Sequence, residues 1–271
     1  LSEVPNIVLG RTGLRVSRIG VGSSYGIGTA ALRDAFDQGM NLFYFGTART
    51  GAMAEAIRAL APSRREHMVV AVQSYTRWGW YLPRSVDQAL RALNLDRADL
   101  LILGKRDQPI AGKLLDQVVR LKESGKVGSI AVSAHRRAAF AEHLRSEVVD
   151  VIMVRYNAAH VGAEQEVFPL LATQNRPGVM VYTATRWGTL LGDVPGEERA
   201  TAADCYRFVL HHPSVDVCLT GPANGQQLKA ALTAASMPLM TNEELERMRR
   251  IGRVVHTREH HSWLARRLIF D

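Results

Sequence analysis

Eight short apolar runs, separated by longer amphipathic stretches, follow one another along this chain, and that alternation restricts its fold more than any other feature. The runs are Ile19–Ser23, Asn41–Phe45, Met68–Gln73, Leu100–Gly104, Ser129–Ser133, Val151–Tyr156, Gly178–Tyr182 and Val215–Thr220. Most are apolar throughout, as strands covered on both faces should be. The stretches Ala30–Gln38, Ala52–Leu60, Ser85–Leu93, Lys113–Ser124, Arg137–Leu144, Glu164–Thr173, Ala200–Leu210 and Gln226–Ala235 place apolar residues at helical spacing. Strand and helix in regular alternation predict βαβ units and a parallel sheet. Eight units are the number that closes a (β/α)8 TIM barrel, which takes about 250 residues. The 271 residues therefore suit one α/β domain, with the barrel over about 7–236 and a helical tail over about 241–271. Gly39 and Gly125 read as helix stops. Thr241-Asn242-Glu243-Glu244 reads as a capping box that opens a basic helix through about His256.

Composition narrows the function classes. Cys205 and Cys218 lack metal-ligand spacing and are too few for a disulfide framework, so a reduced, cytoplasmic setting is expected. No apolar run approaches the roughly 20 residues of a membrane helix, and Leu1–Pro5 does not have the pattern of a signal peptide. The net charge of +8 is spread along the chain without a nucleic-acid motif, which favours an anionic small molecule over nucleic acid.

In a barrel of this kind reactive groups follow the strands, on the βα loops. The residues there are polar: Tyr44 and Arg49; Gln73, Tyr75 and Arg77; Lys105-Arg106-Asp107; His135; Arg155, Asn157 and His160; Thr185-Arg186-Trp187; and Thr220. Counted in alternate residues from the inward positions that the family resemblance below implies, Tyr44, Gln73, Tyr75, His135, Arg155, Asn157, Tyr182 and Arg186 are expected at the mouth. Arginine suits a carboxylate or phosphate, and aromatic faces suit a planar ligand. Arg49, Arg155, Asn157, Arg186 and Trp187 are the candidate ligand contacts. Carboxylates are scarce there, which disfavours a divalent metal. His256, His260 and His261 have helix-like spacing but no acidic or cysteine partner nearby in sequence, so no metal is expected.

Several segments resemble the aldo-keto reductases. Leu9-Gly10-Arg11-Thr12-Gly13-Leu14-Arg15-Val16-Ser17 is similar to that family's opening, and Ser124–Ser133 resembles its Gly-Lys-(Ile/Val)-Arg-x-Ile-Gly-Val-Ser stretch. Tyr156-Asn157, Glu164–Pro169 and Phe208–Pro213 are similar to the family's later segments. The resemblance implies carbonyl reduction with NAD(P)H by an Asp, Tyr, Lys and His tetrad. The matching positions carry none of the four. The Asp aligns with Tyr44 or Gly46, the Tyr with Arg49 or Gly51, the Lys with Gln73 and the His with Gly104. Of the residues the resemblance assigns to the cofactor, Ser133, Tyr182 and Asn224 match, whereas Ala134, Met153 and Ala223 replace the family's Asn, Gln and Arg. NADP is thus implied by family, while much of the set that would hold it is replaced.

The sequence predicts a barrel of reductase descent that binds an anionic or polar small molecule at its mouth, with Tyr44, Tyr75, Gln73 and His135 as the candidate catalytic groups and His135 as the candidate base. Gly104 is expected to leave room where a His ring would sit. Two alternatives stay open: an atypical NAD(P)H oxidoreductase with Tyr44 or Tyr75 as proton donor, and a regulatory subunit that meets a protein partner through the charged tail after Thr241.

Overall fold

The computed structural model describes residues 4–171 and 174–270, with side chains as far as Arg258. Its centre is a closed barrel of eight parallel strands. A hairpin of β1 (Asn6–Val8) and β2 (Arg15–Ser17) precedes the barrel. The barrel strands are β3 (Ile19–Gly22), β4 (Leu42–Phe45), β5 (Val69–Ser74), β6 (Ala98–Leu103), β7 (Val127–Ser133), β8 (Val151–Arg155), β9 (Gly178–Tyr182) and β10 (Val217–Thr220), and β10 pairs with β3 to close the ring. Each falls on a run expected from the sequence.

Alternation along the strands divides the apolar residues into two cores. Leu42, Ala71, Leu100, Ile102, Ala131, Val151, Met153, Met180, Val217 and Leu219 fill the barrel. Phe43, Phe45, Val70, Val72, Leu101, Leu103, Ile130, Val132, Ile152, Val154, Val179 and Val181 point outward into the layer shared with the helices. This two-faced burial explains the unbroken apolar runs. The helices are α1 (Thr29–Asp37), α2 (Gly51–Arg64), α3 (Leu82–Leu93), α4 (Gly112–Glu123), α5 (Ala139–Arg145), α6 (Ala163–Glu166), α7 (Ala202–His211), α8 (Gly225–Ser236) and α9 (Asn242–Phe270). In α3 the buried Leu82, Val86, Leu90 and Leu93 make one face at the expected spacing.

Three differences from the sequence reading have physical causes. The hairpin plugs the closed end: Leu9 and Val16 are fully buried against the barrel interior. Its turn sits so close to β9 that a Cβ on Gly10, at φ +47°, would lie 2.1 Å from the Gly178 nitrogen. The helix expected over Glu164–Thr173 is only the short α6 followed by a 3-10 turn, Phe168–Leu171. Pro169 cannot donate back to residue 165, which stops the helix there; Thr173 lies outside the described residues. Finally, α9 runs past His256 to Phe270. Its expected capping box is present, with Thr241 N–H donating to Glu244 at 2.7 Å and Glu244 N–H to Thr241 Oγ1 at 3.2 Å.

Among the described residues no helix is long and apolar enough to cross a membrane.

Candidate functional site

The strand alternation that fills the barrel also sets its mouth. One step beyond the last apolar layer, inward positions carry Tyr44 on β4, Gln73 on β5, Gly104 after β6, Ser133 on β7 and Tyr182 on β9. The ladder keeps them level, with Gln73 beside Ile102, Ser133 beside Met153 and Arg155 beside Tyr182. Above them opens a cleft of about 810 Å³. Tyr44, Gln73, Tyr75, Ser133, His135, Tyr182 and Trp187 all line it, so seven of the sequence candidates converge. The other walls are the loop after β3, with Ser24 and Tyr25, the loop after β9, and the start of α8, with Gln226 and Gln227.

At the floor, the Tyr44 hydroxyl donates to Gln73 Oε1 at 2.5 Å. Burial first, and then the neighbouring Tyr75 hydroxyl, push the Tyr44 hydroxyl well above the usual phenol range despite the bond to Gln73. Tyr44 is therefore a weaker acid than a free tyrosine. The room expected at Gly104 is not empty. A Cβ at that position would lie 2.3 Å from Tyr75 Cε1 and 3.2 Å from Gln73 Nε2, so the Tyr75 ring occupies the place of a side chain at 104. No carboxylate is among the residues that line the cleft.

Five other candidates do not line the cleft. Arg49 is exposed, on the loop that leads into α2. Arg155 has its guanidinium 5.3 Å from the centre of the Trp187 ring and bonded to the Tyr182 hydroxyl. Arg186 is 4% exposed and meets His160 Nε2. Burial, and then the charges of Arg186 and Arg155, pull His160 down to about 4, so it is neutral at pH 7 and accepts from Arg186. Asn157, expected at the mouth, is fully buried. Its Nδ2 donates to Thr183 O at 2.8 Å and its Oδ1 accepts from Ala159 N–H at 3.0 Å, which ties two loops together. Strand parity sent it outward, but β8 ends at Arg155, and beyond a strand end parity no longer predicts direction. Asn224 is the N-cap of α8 and accepts from Gln227 N–H at 3.0 Å.

The cleft also includes Tyr25, Thr183 and Tyr206, which the sequence did not single out, and Lys105, which it gave only as one polar loop residue among several. Backbone conformation marks some of them. Arg49, Lys105, Thr183, Arg186 and Trp187 all have positive φ, and all stand on loops at the mouth. For a residue with a Cβ this costs about 1–2 kcal/mol, and such strain gathers at functional sites. Among the described residues no group of His, Cys, Asp or Glu is placed to hold a metal ion; the His260 and His261 side chains lie outside those described.

Comparison with known proteins agrees with this architecture. The Aldo/keto reductase family model matches residues 28–204. L-galactose dehydrogenase of Arabidopsis thaliana is 27% identical over 214 residues, covering 68% of this chain and 66% of that protein, so the match spans just under two thirds of the relative's length. The apo form of aldo-keto reductase AKR11C1 from Bacillus halodurans superposes with a TM-score of 0.77 at 22% identity, over 92% of this chain and 96% of that one. An aldo/keto reductase from Klebsiella pneumoniae, in complex with NADP and acetate, gives 0.75 at 21% identity, over 91% and 95%.

Proposed function

The chain belongs to the aldo/keto reductase family, and from that premise we propose that it binds a polar small molecule in the mouth cleft and does not carry out the family's usual carbonyl reduction. The observation that carries this reading is the floor of the cleft. Reduction of a carbonyl needs an acid poised near neutral pH to protonate the forming alkoxide. Here the half-buried phenol, Tyr44, is bonded to a neutral amide, and Tyr75 fills the place above Gly104. A phenol becomes a useful acid when a cation stabilises its phenolate, and Gln73 carries no charge.

The residues present also fit a nicotinamide cofactor poorly. Ala134 and Met153 offer no hydrogen bond to a carboxamide. The Ser133 hydroxyl accepts the Lys105 N–H at 3.2 Å and keeps its own O–H as the one matching contact. At the start of α8, where backbone amides suit a phosphate, Pro222 has no N–H. Ala223 N–H is taken by Gln227 Oε1 at 2.8 Å, and Gln227 N–H by Asn224. Tyr182 at the cleft wall is the feature that favours a retained cofactor, as does the Klebsiella neighbour that holds NADP. No catalytic step is assigned to such a group.

A protein partner on the tail draws less support. Arg247, Arg249 and Arg250 of α9 pair with Asp204, Glu164 and Glu197, and its Glu244 pairs with Arg207 of α7, so these charges of α9 are committed within the chain.

Titration with NADPH and NADH, followed by fluorescence, tests the reading together with turnover of a panel of aldehydes and ketones. The expected result is no saturation below about 1 mM cofactor and no reduction above background. Micromolar NADPH binding with turnover abolished by Tyr44→Phe overturns it.

A further inference from the structure

The cleft is uneven in charge. Its rim between β5 and α5 comprises three successive loops that carry Arg77, Lys105, Arg106, His135 and Arg136, with Asp107 as their one carboxylate. Asp107 is already engaged. Its Oδ1 accepts the backbone N–H groups of His135 and Arg136, both at 2.8 Å, which is how it shapes the loop after β7. Arg106 is buried, and its guanidinium donates to the Thr76 carbonyl; its Nε has no partner among the described residues. No ion pair is formed by Arg77, Lys105 or Arg106 among the described residues.

Of this group Lys105 and His135 reach the cleft wall. Lys105 is held at φ +56°, an unfavourable conformation for a residue with a Cβ, while its N–H is tied to Ser133. The loop is thus fixed in a strained form that places an exposed ammonium at the edge of the cavity. The chemistry opposite is also one-sided. Gln73 Oε1 is occupied by Tyr44, which leaves its amide N–H groups as donors. Lysine, histidine and amide N–H groups facing a cleft without a carboxylate call for a ligand rich in acceptors.

We propose that Lys105 and His135 bind the carboxylate of the ligand, and that the ligand is a hydroxylated carboxylic acid whose body lies on the tyrosines and Gln73. The inference rests on the polar-ligand reading above and adds to it the charge and direction of the bound molecule. An ammonium and an imidazole on the wall of one cleft suit a carboxylate, and at the start of α8 the Gln227 N–H that could help take a phosphate is already given to Asn224. The cations to either side steer an anion toward this rim.

The test uses matched pairs that differ in one group: D-glucuronate against D-glucose, and 4-hydroxybenzoate against 4-hydroxybenzyl alcohol, each followed by saturation-transfer NMR and calorimetry on the full chain. At least one carboxylate is expected to bind about tenfold more tightly than its neutral partner, and this preference should disappear in Lys105→Met and weaken as salt is raised. Circular dichroism and melting of Lys105→Met and Lys105→Gln control for folding; Lys105 is exposed, so both should fold. If no carboxylate binds better than its neutral partner, or if the preference survives Lys105→Met, the assignment is wrong, although neutral partners that still bind would leave the polar-ligand reading standing. NADPH-dependent turnover overturns that reading, whatever the pairs show.

Discussion

At the closed end of the barrel three aspartates each take a strand amide and a cation; at the open end no carboxylate faces the cleft, and Arg77, Lys105 and Arg106 form no ion pair among the described residues. The closed-end pattern repeats on alternate strands. Asp99 accepts Val70 N–H at 2.7 Å and pairs with Arg65, Asp150 accepts Ile130 N–H at 2.8 Å and pairs with Lys122, and Asp216 accepts Val179 N–H at 2.8 Å and pairs with Arg176. Each stands at or just before the start of its own strand and accepts an amide of the strand beside it. A carboxylate taken out of water needs such partners, because an unpaired buried charge is costly. At the mouth Arg77 and Lys105 avoid that cost by staying in water, on loops, whereas the buried Arg106 has the Thr76 carbonyl as its acceptor. Paired charge at one end serves the fold, whereas the exposed ammonium at the other is available to a ligand.

The largest expected effect therefore lies at the closed end. Asp216 is 1% exposed and holds Arg176 through two bonds, at 2.6 and 2.9 Å. Asp216→Ala removes both and leaves Val179 N–H unpaired. It should cost about 3–5 kcal/mol of stability in urea unfolding. The folded fraction should bind the carboxylate probe within about twofold of the parent, since distant sites act independently. A loss below about 1 kcal/mol, or a parallel loss of binding, would break the division between the two ends.

Next comes Gly104→Ala, which reverses the pattern. The new Cβ would meet the Tyr75 ring at 2.3 Å, and Tyr75, at 46% exposed, can swing outward. Stability should change by less than about 1 kcal/mol, while affinity for the carboxylate probe falls about tenfold. Unfolding and calorimetry on one variant separate the two quantities. An unchanged affinity would mean that Tyr75 is only a filler.

The same contrast explains what could be read from the sequence. The barrel was legible because strands buried on both faces leave a mark at every residue, and Gln73, Ser133 and Tyr182 were reached through the family resemblance, from which strand parity counted outward. Beyond the last paired residue that rule lapses: Asn157 and Arg186 turned inward to tie loops, while Arg155, still paired with Tyr182, lies against the Trp187 ring without lining the cleft. Lys105 was visible only as one polar residue among several, because its placement depends on a positive φ that no local pattern announces. The aspartate bridges join residues 20 to 37 positions apart, so spacing within a single strand could not reveal them.

A carboxylate on the flank, away from both ends, sharpens the comparison through pH. The Arg207 guanidinium, and then the Thr241 N–H, hold Glu244 down to about 2, below its ordinary 4.5. A lowered folded-state value means that the contribution is present above 4.5 and is lost as pH falls toward 2. Amide exchange over residues 242–256, corrected for intrinsic rate, should therefore lose protection between pH 5 and about 3. Arg207→Met should flatten that dependence. Protection that stays constant to pH 3 in the parent would show that α9 is held by its apolar face, through Met248, Ile251 and Val255.

The smallest effect concerns the cation that sequence parity assigned to the ligand. Arg155 ends β8 and Lys105 follows β6, with β7 between them, and of the two only Lys105 lines the cleft. Arg155→Met removes the contact with the Trp187 ring, worth about 0.5–1 kcal/mol, and the cation beside Tyr182. Burial already raises the Tyr182 hydroxyl and Arg155 opposes that rise, so the substitution should move it further up, as an ultraviolet pH titration would record. Probe affinity should nonetheless stay within about twofold, against the tenfold expected for Lys105→Met. If the two variants exchange these outcomes, the anion sits against β8 rather than β6, and the strained loop at Lys105 serves the backbone instead of the ligand.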